Sequence, residues 1–164
     1  MSYVVIRSEL IETLEEARAY YAERLVGDHS VVVGDRTLVL RFNQEEIHLF
    51  TEEVIAGRTP PPEKLVRRPG VSGETRVFSK QRARLMDQVL PTVRAPVRVL
   101  RAKIASGALL VGPPTLDSGA RLAVVVAPGR EADLFFVRTC YPMSVADFAR
   151  ALAGKPKASP WPPE

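Results

Sequence analysis

The sequence predicts an α+β fold: an antiparallel four-stranded sheet with helices on one face, preceded by an N-terminal helix and a small β-meander. Three observations carry this. Apolar residues recur at three-to-four spacing in two stretches, near 10–25 and 80–90, each flanked by cap and stop residues. Two nearly continuous apolar runs, 121–127 and 133–140, are joined by a short Pro-Gly turn at 128–131. The element order is helix, three strands, linker, helix, about four strands, helix, which groups strands together instead of alternating them with helices.

The first helix is expected to open at Ser8 and close at Gly27. Glu9, Glu12, Glu15 and Glu16 complement the positive end of its dipole. The pattern then shifts to period two. Segments 31–33 and 37–42 read as a hairpin around Gly34-Asp35, and 47–50 as a third strand of the meander. Residues 57–75 hold four prolines and three glycines, so they read as a linker or loop. A second helix, 80–90, is capped by Ser79 and ended by Pro91 and Pro96. Two short strands are expected near 97–104 and 108–111, ahead of the strong pair 121–127 and 133–140. Ser144 with Asp147 resembles a capping box opening a last helix to about Leu152. The organisation expected is an N-terminal helix and meander over 1–56, the linker, a core over 76–154, and a mobile tail over 155–164, all compatible with one compact domain.

Composition removes several function classes. The chain has 164 residues, 46% hydrophobic and 26% charged, which is ordinary globular composition. The single cysteine, Cys140, leaves no internal disulfide framework, and with only His29 and His48 a classical zinc site is not expected. No run of 18 apolar residues exists and the N-terminus turns acidic early, so a cytoplasmic protein without signal peptide or membrane span is expected. The charge is unevenly placed. Residues 1–60 carry 6 basic and 11 acidic side chains, whereas residues 63–104 carry 11 basic and 3 acidic. Such asymmetry suggests a polyanion partner for the second part, with a solvated basic surface as the plain alternative.

Residues 76–96, RVFSKQRARLMDQVLPTVRAP, form an Arg-Ala helix with a proline-marked end, followed by strands, the last ending Phe-Val-Arg-Thr-Cys-Tyr-Pro. This pattern resembles the phage-type members of the ribonuclease superfamily that groups barnase, EndoU, the tRNA-cutting colicins and the RelE toxins. The likeness covers 76–142, and the upstream segment 46–51, EIHLFT, supplies the histidine that such sequences place before the helix. It implies a metal-independent, cofactor-free endoribonuclease acting by 2′-hydroxyl transesterification, of a kind that serves as a toxin or phage-associated effector. The partners implied are RNA, including tRNA, and an inhibitor or delivery protein.

Under that resemblance His48, Arg82, Thr139 and Tyr141 are the catalytic candidates, and Arg76, Lys80 and Arg84 the RNA-binding ones. A histidine titrates near neutral pH without tuning, which suits a general acid or base. Arginine offers a fork for phosphate. Thr139 and Tyr141 flank Cys140, so in a strand they share one face while Cys140 points to the other. Arg138 would need a bulge to join Thr139. Cys140 reads as a small buried hydrophobe. The rival from another class is a non-catalytic nucleic-acid-binding module, or a phage structural or accessory component. A regulatory, immunity-type partner is a third reading.

Overall fold

Gly34, with φ of +63°, closes the two-residue turn between β1 (Gly27–Val33) and β2 (Arg36–Phe42), which pair antiparallel from Val33↔Arg36 to Gly27↔Phe42. Leu38, Leu40 and Phe42 alternate onto one face of this hairpin and are fully buried. These observations come from a computed structural model, which describes residues 4–44, 46–54, 65–67, 75–102, 107–114, 119–153 and 161–163.

The remaining strands are β3 (Thr51–Glu53), β4 (Leu65–Arg67), β5 (Thr75–Phe78), β6 (Arg98–Arg101), β7 (Ala108–Pro114), β8 (Arg121–Pro128) and β9 (Leu134–Met143). The main sheet has six strands in the order β1-β2-β9-β8-β7-β6, and β3-β5-β4 form a separate three-stranded sheet. The pair expected at 121–127 and 133–140 is the antiparallel hairpin β8–β9, in the middle of the main sheet.

The fold is α+β, but the four-stranded antiparallel sheet is corrected to a six-stranded mixed one. Strands β6 to β9 do run antiparallel in succession, and β2 then joins β9 in parallel through Val39↔Leu134 and Arg41↔Phe136. A lone hairpin cannot bury its apolar face, and the edge of β9 has backbone groups to satisfy. Joining them meets both needs.

The helices also depart from one-sided packing. Helix α3 (Val89–Arg94) buries Val89 and Val93 in the large core with Leu38, Leu110, Leu122 and Val137. Helix α4 (Val145–Ala153) lies on the other face, where Phe148 meets Val111, Ala123 and Met143. Those three side chains alternate away from the large core and need a cover of their own.

Three expected elements change form. Helix α1 spans Leu14–Arg24, not 8–27. Its cap is Thr13, whose hydroxyl accepts from Glu16 N at 3.1 Å while the Glu16 carboxylate accepts from Thr13 N at 3.1 Å. The helix expected over 80–90 is divided into α2 (Lys80–Ala83), a 3-10 turn (Met86–Gln88) and α3. The cause is Ser8. Its hydroxyl donates to Arg84 O at 2.9 Å and accepts from Asp87 N at 3.1 Å, so a side chain sits inside the helical ladder. Pro91 lies in the first turn of α3, where a missing N–H costs nothing. Finally, the strand expected at 47–50 is a 3-10 turn, Ile47–Leu49, closed by Phe50 N donating to Ile47 O and by the Thr51 hydroxyl donating to the same oxygen at 2.7 Å.

Most of 57–75 lies outside the described residues, but within it β4 pairs with β5. Val5, Ile11, Leu38, Val66, Met86 and Val137 belong to one buried cluster. Of the tail expected to be mobile, 161–163 are described and packed: Trp161 Nε1 donates to Val93 O at 2.9 Å and its ring meets Phe135 edge-on.

Candidate functional site

Strand β9 carries the site. Beyond Phe136 it has lost β2 as a neighbour, and the turn 47–49 and helix α2 flank that edge instead. The Cys140 thiol donates to Leu49 O at 3.8 Å, which fixes the turn bearing His48 beside the strand. Cys140 is fully buried, and burial pushes its thiol up to about 12, although the Arg82 charge pulls the other way. It is a packed hydrophobe, as its alternation with Thr139 and Tyr141 implied.

Thr51, which no local pattern marks out, organises the arginines. Buried Arg76 donates from Nε to Thr51 Oγ1 at 2.8 Å and from Nη2 to Thr51 O at 3.1 Å. Arg82 donates from Nη1 to the same carbonyl at 2.9 Å. The cap geometry of Ser79, which accepts from Arg82 N at 3.2 Å, starts α2 so that Arg82 reaches this point. The Arg82 guanidinium carbon stands 5.9 Å from the centre of the Tyr141 ring. Burial pushes the Tyr141 phenol above its ordinary value, Arg82 opposes the shift and Asp147 adds to it. The phenol therefore stays protonated at neutral pH and is a donor.

A cleft of about 470 Å³, which neither Arg82 nor Tyr141 lines, is bounded by Gln81 of α2, Ala120, Pro142, and Ser144, Val145 and Asp147 at the start of α4. Ser144 caps that helix, accepting from Asp147 N at 3.0 Å, as the Ser-x-x-Asp spacing predicted.

The structure thus brings Arg82 and Tyr141 together and sets His48, half-buried, on the neighbouring turn. It takes Arg76 out of solvent. It turns Lys80 and Arg84 toward the N-terminal segment: Glu12 accepts from Lys80 Nζ at 3.2 Å and from Arg84 Nη2, and Ile11 O accepts from Arg84 Nε at 2.9 Å.

Thr139 shares a face with Tyr141 and has a companion there. Val126 pairs with Val137 but Val125 with Thr139, so Arg138 is the extra residue of a β-bulge. Counting alternation forward from Phe136 and back from Tyr141 puts Arg138 and Thr139 on one face. The Arg138 guanidinium carbon lies 5.5 Å from the Phe136 ring centre, and that of Arg41 lies 5.6 Å from it. The bulge that the sequence required for Arg138 to join Thr139 is present, whereas Phe136 and Arg41 were not singled out, since the β2–β9 pairing that assembles them leaves no local signal.

No protein-family model, curated protein or solved structure matches this chain. Among the described residues no three His, Cys, Asp or Glu side chains gather as metal ligands, and no helix is long and apolar enough to cross a membrane.

Proposed function

We propose that this protein is a metal-independent endoribonuclease that works beside the second half of β9, where the strand runs past the end of its β2 pairing. The observation that supports this reading is the Arg82–Tyr141 pair: a cation and a protonated phenol side by side. Only Nη1 of Arg82 is engaged, by Thr51 O, so Nε and Nη2 have no hydrogen-bond partner among the described residues. Those nitrogens suit a phosphate fork.

In the reaction, the ribose 2′-oxygen attacks the adjacent phosphorus and the bond to the 5′-oxygen breaks. His48 takes the 2′-hydroxyl proton and the leaving 5′-oxygen takes one from water, giving a 2′,3′-cyclic phosphate and a 5′-hydroxyl. Arg82 offsets the charge that builds on the phosphorane oxygens, and Tyr141 donates to one of them. Thr139 positions the ribose. The toxin or phage-effector setting, with tRNA among the substrates, belongs to this reading as a proposal.

One observation favours a non-catalytic RNA-binding module as the second reading. Arg82 and Tyr141 meet, but the cleft nearby is lined by neither of them, nor by His48 or Thr139. Incubation with total RNA and tRNA in EDTA, followed by analysis of product ends, decides between them. Cyclic phosphate ends that vanish in Arg82→Ala support catalysis. Intact RNA that is bound by the folded protein supports the second reading.

A further inference from the structure

A strip on the open face of β9 lies apart from the Arg82–Tyr141 pair. Phe136 is half-buried, and two guanidiniums stand over its ring, Arg41 from β2 and Arg138 from the bulge. The two arginines differ. Arg41 is held by Asp28, with Nε donating to Oδ1 at 2.7 Å and Nη2 to Oδ2 at 2.9 Å, so its plane is fixed and its charge offset. Glu131 adds a further negative charge near Arg41. Arg138 is exposed and has no hydrogen bond or ion pair among the described residues. The Thr139 hydroxyl beside it also lacks a hydrogen-bond partner among them.

We infer that Phe136, Arg138 and Thr139 form a stacking subsite for single-stranded RNA, leading along β9 toward Tyr141. The inference rests on the reading of this chain as an RNA-directed protein and adds where the strand lies. An aromatic face stacks on a base, an arginine plane stacks or meets a phosphate, and a hydroxyl can meet a 2′-hydroxyl. Phe136 and Tyr141 are separated by about 13 Å of strand, given roughly 3.3 Å per residue and one residue taken up by the bulge. A β-sheet face carrying two aromatic rings this far apart accepts splayed, non-adjacent bases of one strand. A double-stranded ligand hides its base faces and leaves Phe136 nothing to stack on. An acidic protein partner would use Arg138 but not the ring.

The test is binding of a fluorescein-labelled single-stranded RNA 12-mer to the full chain, read by anisotropy. Phe136→Leu keeps the apolar bulk and removes the π face, and it should weaken binding by roughly 5- to 150-fold. Arg138→Gln, at an exposed bulge position that the core does not need, should lower the salt slope by about 0.7. Arg94→Gln, an exposed charge at the far end of α3, serves as the control for charge alone and should change affinity little. Thermal melts check that each variant is folded. Wild-type affinity in both Phe136→Leu and Arg138→Gln overturns the subsite, as does displacement of the RNA by a poly-glutamate peptide at equal concentration. If the wild type cleaves RNA and the variants cleave with unchanged KM, the subsite fails while the nuclease stands. If nothing cleaves but the variants lose binding as stated, the subsite stands and the nuclease fails.

Discussion

Ser8 and Arg84 are joined by a hydrogen bond that spans 76 positions of sequence: the Ser8 hydroxyl donates to the Arg84 carbonyl at 2.9 Å. The Ser8 hydroxyl oxygen in turn accepts from Asp87 N, so one buried hydroxyl serves two backbone groups that a continuous helix would have satisfied itself. Ser8→Ala would leave a carbonyl and an N–H without this partner. Each such group costs about 1–3 kcal/mol when buried. Urea denaturation should show a loss of that order, and Ser8→Thr, which keeps the hydroxyl, should lose less.

The Arg82–Tyr141 pair gives a prediction on activity. Arg82→Ala should lower RNA cleavage by about 10²–10³-fold, since it removes a donor to developing charge. Arg82→Lys should recover only part, because the fork is lost. His48→Ala should cost about 10²–10⁴-fold. Tyr141→Phe keeps the ring over Arg82 and loses only the phenol, so its smaller loss in kcat would assign the hydroxyl a role separate from stacking. Single-turnover cleavage of a defined RNA measures all four.

Glu12 predicts a pH dependence. The hydrogen bond from Lys80, then the charge of Arg84, hold its carboxyl below the ordinary value of 4.5. The unfolded chain therefore binds the proton first as pH falls. The stability Glu12 contributes is fully present above 4.5 and is lost as pH drops through its lower folded value. Glu12 is exposed, so the effect is also weakened by salt. The stability difference between wild type and Glu12→Gln, followed from pH 7 toward pH 2 (about the carboxylate range), should shrink to nothing at the acid end. Glu12→Gln should also raise RNA affinity at low salt if Lys80 and Arg84 can then reach phosphate.

Cys140 should not react with a thiol reagent in the native state. A buried thiol with a pKa of about 12 holds almost no thiolate at neutral pH. Labelling should appear only as the protein unfolds in denaturant. Because the unfolded thiol ionises from its ordinary 9.0 upward while the folded one does not, stability should fall as pH rises above 9.0.

Gly129 opens the turn from β8 to β9. A Cβ there would lie 2.8 Å from Leu134 Cγ and Cδ2, and 3.2 Å from Phe136 Cε2. Gly129→Ala should therefore destabilise by about 1–3 kcal/mol, the usual range for overpacking. It should also disturb the Phe136 ring, so weaker RNA binding alongside a lowered Tm is expected.

Features that lie within a few residues of their cause are legible in the sequence. The Gly34 turn sets the β1–β2 hairpin, period-two apolar runs set β8 and β9, and Ser79 and Ser144 cap helices where the spacing said they would. The burial of Cys140 between Thr139 and Tyr141 follows from alternation alone. Tertiary structure decided the rest. The parallel β2–β9 pairing, the Ser8 insertion, the hold of Thr51 on Arg76 and Arg82, and the masking of Lys80 and Arg84 by Glu12 all join distant segments. Even the Arg138 bulge depends on how β9 registers against β8. Periodicity reports which side of an element is apolar, but not which partner will cover it. That choice is made when buried surface and backbone hydrogen bonds are satisfied together across the whole chain.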